Sequence, residues 1–268
     1  MESLVILLSG LITLISPVGM VSDRLAADVI RKQLAAVEHL QVRIDNAPSY
    51  QLVQGKADRI RIAGRGLFPL EGLRIEALDV ETDPVQIDAS RLRRRGRIRL
   101  LQPLQTGVRV VINQADMGQA FQSPAVVERL RKAGIGVLGR QQARQVQRYN
   151  LNHLQLEFLD DQRLRLQVQV QEKDDPTTLD ISVETGIEIV AGRQLRLVKP
   201  VIELNGEPAP DSLVRAIADG VFERSDLRQL EKLGITARIL RLKIDANQME
   251  VAAFVQVAPE SKPHLTAF

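Results

Sequence analysis

The chain has 268 residues, 44% of them hydrophobic and 26% charged, with 36 basic against 33 acidic side chains for a net charge of +3. That composition excludes wholesale disorder, and the length suits one large domain or two small ones. Cysteine is absent, which removes disulfide frameworks, thiolate zinc sites, iron–sulfur clusters and cysteine nucleophiles together. The three histidines, His39, His153 and His264, are too far apart for a helical metal pair, so no metal or other cofactor is expected. Aromatic residues are only 3%, few stacking platforms for single-stranded nucleic acid, and no nucleic-acid partner is expected. The interior is to be filled by Leu, Val, Ile and Ala.

Leu4 to Val21 is an apolar run interrupted by Gly10, Pro17 and Gly19. As a helix it measures about 27 Å, marginal against a hydrocarbon core of about 30 Å. No Lys or Arg precedes it, as an export signal would want, and the small-x-small match near Ser22 is weak. Three readings stay open: an uncleaved membrane-associated helix, an export signal, or a helix packed on the domain. If it spans, Glu2 lies before it and Arg24, Arg31 and Lys32 after it, which leaves the body on the cytoplasmic side. Localisation is read as membrane-associated, with the cytoplasmic face and the envelope side both open.

Asp23 to Leu40 reads as the first helix. Leu25, Val29, Ile30, Leu34 and Val37 share an apolar half-wheel, wider than a surface helix needs. From Gln41 the period changes to two. Arg59 to Ile62 alternates; Leu73, Ile75 and Ala77 alternate until the phase slips to Leu78 and Val80, which suggests a bulge. Gly107 to Asn113 is another strand. Ser123-Pro124 starts a helix that Gly134 ends, and 139–149 reads as a second helical piece. Leu164, Leu166, Val168 and Val170 alternate with Arg and Gln, and Leu179 to Ile189 keeps one phase across Gly186. Leu195 to Leu204 closes on the turn Asn205-Gly206, a helix opens near Asp211, and strands Thr236–Asp245 and Met249–Val257 end the domain. Strands come in runs, which predicts an antiparallel α+β architecture. The chain divides into an apolar segment 1–22, a single α+β domain 23–258 and a tail 259–268.

The search for chemistry is brief. Gly64-Arg-Gly66 leads into Leu-Phe-Pro rather than a helix, so it is neither a phosphate loop nor a dinucleotide fingerprint. There is no Gly-x-Ser-x-Gly elbow, and Asp160-Asp161 and Asp174-Asp175 sit at expected hairpin tips. Nothing assembles a nucleophile, base and oxyanion set, and no enzyme is expected. The densest charged feature is Arg91, Arg93, Arg94, Arg95, Arg97 and Arg99, six arginines in nine positions. It reads either as a solvated basic tip or as a contact for a phosphate head group or anionic membrane surface.

Asn46-Ala-Pro-Ser-Tyr50, Gln54-Gly-Lys56, Asp58 to Gly64, Gly66-Leu-Phe-Pro and Leu73 to Leu78 resemble the LmeA-like phospholipid-binding family, over about Val21 to Val257. The resemblance implies a fold like the tubular lipid-binding proteins, a long helix cradled by a strongly curved antiparallel sheet. It implies non-enzymatic phospholipid binding or carrying at a membrane or cell envelope. The apolar half-wheel of the first helix (Leu25, Val29, Ile30, Leu34, Val37) becomes the acyl-groove candidate and Arg91 to Arg99 the head-group candidate. Two alternatives are carried: a ligand-free envelope scaffold, and a lipid-modifying enzyme.

Overall fold

A computed structural model describes residues 27–28, 30–46, 49–90, 99–129, 149–172 and 176–259. In chain order these form β1 (Ala36–Asp45), β2 (Lys56–Ala57), β3 (Arg59–Leu70), β4 (Leu73–Thr82), β5 (Val85–Gln86), β6 (Leu104–Asn113), helix α1 (Gln114–Ala120), β7 (Tyr149–Leu159) and β8 (Arg163–Glu172). Then come β9 (Thr178–Val190), β10 (Gln194–Leu204), β11 (Glu207–Pro208), helix α2 (Asp211–Arg224), β12 (Ile235–Asp245) and β13 (Gln248–Val257). A six-stranded sheet has the order β1-β3-β4-β6-β13-β12 and a five-stranded sheet the order β11-β10-β9-β8-β7; β2 and β5 form a small ribbon. Every pairing is antiparallel. Among the described residues, no helix is long and apolar enough to cross a membrane. The segment 1–22, the tail from 260, Gly134 and the helical piece expected over 139–149, up to Tyr149, lie outside the described residues.

The long first helix is not what forms. Helical backbone covers 27–31 where described, and β1 has begun by Ala36. Leu40 lies opposite Gly64, Val42 opposite Ile62 and Ile44 opposite Ile60. The alternation Leu40-x-Val42-x-Ile44 starts inside the stretch read as helix, and pairing with β3 outweighs local helix preference. The cradle of a long helix is therefore replaced by two curved, open sheets.

The phase slip in β4 also has a different cause. Pairing of β4 with β6 is unbroken from Ala77 to Thr82, and the irregular register falls in β3, between Leu67 and Leu70. Ile75 and Ala77 are buried in the first half of β4, then Leu78, Val80 and Thr82 in the second. Ile75 joins the same core as Leu78 and Val80, opposite Leu67, where Gly66 of β3 takes φ 58°. The core lies on one side of the six-stranded sheet. Val42, Ile62, Val80 and Val255 meet Ile30 from the N-terminal turn and Leu227 and Leu230 from the 3-10 turn Leu227–Leu233.

The two sheets meet at a seam made largely by two glutamine amides. Gln114 donates to the carbonyl of Leu156 at 2.8 Å and accepts from the N–H of Phe158 at 2.6 Å. Gln162, in the β7–β8 turn, donates to the carbonyl of Leu242 at 3.2 Å and accepts from the N–H of Ile244 at 2.5 Å. Each amide stands in for one residue of a neighbouring strand. The N–H of Ile239 also donates to the carbonyl of Gly192 at 2.7 Å, so hairpin tips of the second sheet grip β12 of the first.

The second sheet bends at irregular pairings. β10 slips between Val198 and Val201 opposite Gly186, with Lys199 at φ 47°, and β7 slips between Asn152 and Gln155, with His153 at φ 49°. Such bulges increase twist and let a long strand curve. The hairpin at Asn205-Gly206 has both residues at positive φ, as the turn signal predicts.

Candidate functional site

The five-stranded sheet is strictly two-faced. β8 sends Leu164, Leu166, Val168 and Val170 to one side, and Arg163, Arg165, Gln167 and Gln169 to the other. Register sets Val183 and Ile181 of β9 beside Leu166 and Val168, with Ile202 and Leu204 of β10 beyond them. Leu156 and Phe158 of β7 extend the same row in the opposite direction. Only Phe158 and Ile202 of this set are buried, each 3% exposed; the others are partly exposed, and Leu179 reaches 37%.

The opposite side is electrostatically complete. Glu184 pairs with Arg163 at 3.0 Å and with Arg165 at 2.8 Å, and Arg165 also reaches Glu157 at 3.2 Å. Hydrogen bonds from Arg165 and then Arg163 hold the Glu184 carboxyl below the usual carboxylate range. An antiparallel sheet commonly buries one face and solvates the other. The six-stranded sheet does so; the five-stranded sheet has the right solvated face, but its aliphatic face is left partly open. A contiguous apolar surface of this kind marks a binding site.

The outward face of the six-stranded sheet is charged instead. It carries Arg43 from β1, Arg59, Arg61 and Arg65 from β3, and Arg109 from β6. Arg238, Arg241 and Lys243 follow from β12, against Asp45, Asp79, Glu81, Asp245 and Glu250. Ion pairs run across the strands: Arg61–Asp45 at 3.0 Å, Arg65–Asp79 at 2.8 Å, Arg109–Asp79 at 3.0 Å and Arg109–Glu250 at 3.1 Å. A groove of about 580 Å³ crosses this face from Gln41 to Leu240 over Ala63, Gly107 and Ala252.

The sequence pattern of the LmeA-like phospholipid-binding family matches residues 18–254, most of the chain. The chain belongs to the LmeA-like phospholipid-binding family. No curated protein and no solved structure matches it. Family membership supports phospholipid as a partner of the protein.

Of the positions expected from the sequence, Ile30, Leu34, Val37 and Arg99 are described. Ile30 is 1% exposed within the protein's own core, beside Ala27, and Leu34 and Val37 pack partly covered against that core. The side chains of Leu25 and Val29 lie outside the described residues, as do Arg91, Arg93, Arg94, Arg95 and Arg97. Arg99 is described and exposed; its carbonyl accepts from the N–H of Asp88 at 2.9 Å, just before the bridge between Ile87 and Leu100. Asp160-Asp161 forms the β7–β8 turn as expected, while Asp174-Asp175 lies outside the described residues. The aliphatic face was visible in the sequence as four strands in one phase. What the sequence lacked was any sign that, among the described residues, this face would stay partly exposed.

Proposed function

We propose that this protein binds and carries phospholipid without chemically altering it, with the acyl chains lying on the aliphatic face of β7 to β10. The carrying observation is that Leu166, Val168, Ile181 and Val183 form one aliphatic surface yet stay partly exposed, while the back of the same sheet is saturated with ion pairs. Removing each methylene from water is worth about 0.8 kcal/mol, so an acyl chain of about 16 carbons gains on the order of 10 kcal/mol relative to water. A lipid in a bilayer is already dry, so the net transfer lies near balance. A mainly aliphatic surface, with Phe158 of its row buried, suits such reversible exchange. Head-group phosphate is assigned to the arginine-rich segment 91–99, whose guanidinium forks match a phosphate. Leu34 and Val37, only partly covered where they pack against the core of the first sheet, are proposed as separate acyl contacts, together with Leu25 and Val29.

The test is mass spectrometry of organic extracts from gently purified protein, compared with the variants Leu166→Gln and Val168→Gln. The wild-type extract contains phospholipid at a fixed stoichiometry, and both variants lose most of it while keeping a cooperative thermal transition. A lipid-free wild-type extract, or an unchanged load in both variants, sinks the assignment and leaves a scaffold protein of the envelope as the better reading.

A further inference from the structure

We propose that the outward face of the six-stranded sheet is a docking surface for an anionic phospholipid bilayer, centred on Leu240 and the arginines beside it. This surface is separate from the aliphatic face of the second sheet and goes beyond the carrying of a lipid.

Charge is the first argument. Within the paired strands this face holds eight basic side chains against five acidic ones, Asp45, Asp79, Glu81, Asp245 and Glu250. Most of the arginines on β1, β3 and β6 are tied into cross-strand ion pairs, and Lys243 pairs with Asp245 at 3.3 Å. Arg238 and Arg241 differ: both are exposed, and among the described residues neither makes an ion pair.

The second argument is Leu240, which is 68% exposed, the most exposed large hydrophobic residue described. The register of β12 slips between Ile239 and Arg241, which leaves Leu240 without a cross-strand partner and turns it onto the same face as Arg241. The strand on either side is held, by the carbonyl of Gly192 on the N–H of Ile239 and by the Gln162 amide on Leu242 and Ile244. Leu240 thus projects from a fixed frame between two guanidinium groups that make no close ion pair among the described residues. An apolar side chain entering the acyl boundary with basic groups on the phosphates is the chemistry of interfacial binding. A soluble polyanion would use the arginines but not the leucine.

The groove gives the head groups room. Gly107 sits in a central strand with ordinary extended backbone, and a Cβ there would meet nothing nearer than the carbonyl of Glu81 at 4.0 Å. Its missing side chain keeps the floor low beside Ala63 and Ala252.

The experiment is co-sedimentation of the full chain with vesicles of phosphatidylcholine alone, or with phosphatidylglycerol at about a third of the lipid, since attraction to a basic surface needs anionic head groups. Leu240→Ser should lower partition onto the anionic vesicles several-fold. Each of Arg238→Ser and Arg241→Ser should lower it about fivefold, and raising salt to about 0.5 M should suppress the arginine effects. Melting temperatures and carried lipid should not change, because all three side chains are exposed. Unchanged vesicle binding in all three variants overturns the proposal. So does displacement of vesicles by duplex DNA with Leu240→Ser silent, which would mark a general polyanion site. If purified protein carries no lipid but Leu240 still governs vesicle binding, the carrier reading fails and the docking surface stands.

Discussion

At the scale of single residues, Gly107 and Gly55 show opposite uses of the missing side chain. Gly55 has φ 82° and its Cβ would lie 2.6 Å from the carbonyl of Ile87, so substitution there forces apart the end of the small ribbon, where the N–H of Ile87 donates to the Gly55 carbonyl at 2.8 Å. Gly107 has neither constraint. Gly107→Ala is expected to raise stability by about 0.5–1 kcal/mol in denaturant titration, the usual cost of glycine inside a strand. Asp226 makes a second prediction. Its carboxylate accepts from Arg228 Nη2 at 2.6 Å and from the Arg228 backbone N–H at 3.0 Å, which caps the 3-10 turn that carries Leu227 and Leu230 into the core. The Arg228 guanidinium, ahead of that backbone bond, holds the Asp226 carboxyl below its ordinary value of 3.8. A depressed folded value means the stabilisation is complete above pH 3.8 and is lost as pH falls through and below it. Asp226→Ala should therefore be less stable at pH 7, by about 1 kcal/mol for a cap of this kind. Its stability should also fall less steeply on acidification, as read by urea midpoints from pH 6 down to about 2.

Among the elements, the seam between the sheets depends on side chains that imitate backbone. Gln114→Ala removes a donor and an acceptor that serve Leu156 and Phe158 together. Leaving these two backbone groups unpaired near the buried Phe158 ring should cost about 1–3 kcal/mol. Hydrogen exchange at the Phe158 amide should quicken more than in the middle of β8. Equal exchange in variant and wild type would remove the seam's role. Local alternation made β8, β9 and β13 readable nearly to their ends, because each keeps one phase. The Asp23–Leu40 stretch was not readable in that way. Its apolar residues satisfy a helical wheel, and only the partner strand β3, residues away in sequence, decides that Ala36 onward is extended.

For the molecule as a whole, an unclosed aliphatic face makes stability depend on its occupant. A ligand that binds only the folded state at about a hundred times its dissociation constant adds about 2.7 kcal/mol. Delipidated protein should then melt at a lower temperature than protein as purified and bind more of a hydrophobic dye, with both effects reversed by added phospholipid. Identical melting curves would mean the face closes on itself.

The amino-acid sequence by itself determined the strand-rich α+β class, most strand positions in the C-terminal half, the aliphatic interior and the family. Those properties follow from period-two patterning and short-range turn chemistry, which act between residues close along the chain. Tertiary structure alone decided that β1 replaces most of a helix, that Ile30 belongs to the core, and that the aliphatic row of the second sheet remains partly open. Burial is a property of what packs against a side chain, and for these residues the packing partners come from distant parts of the chain.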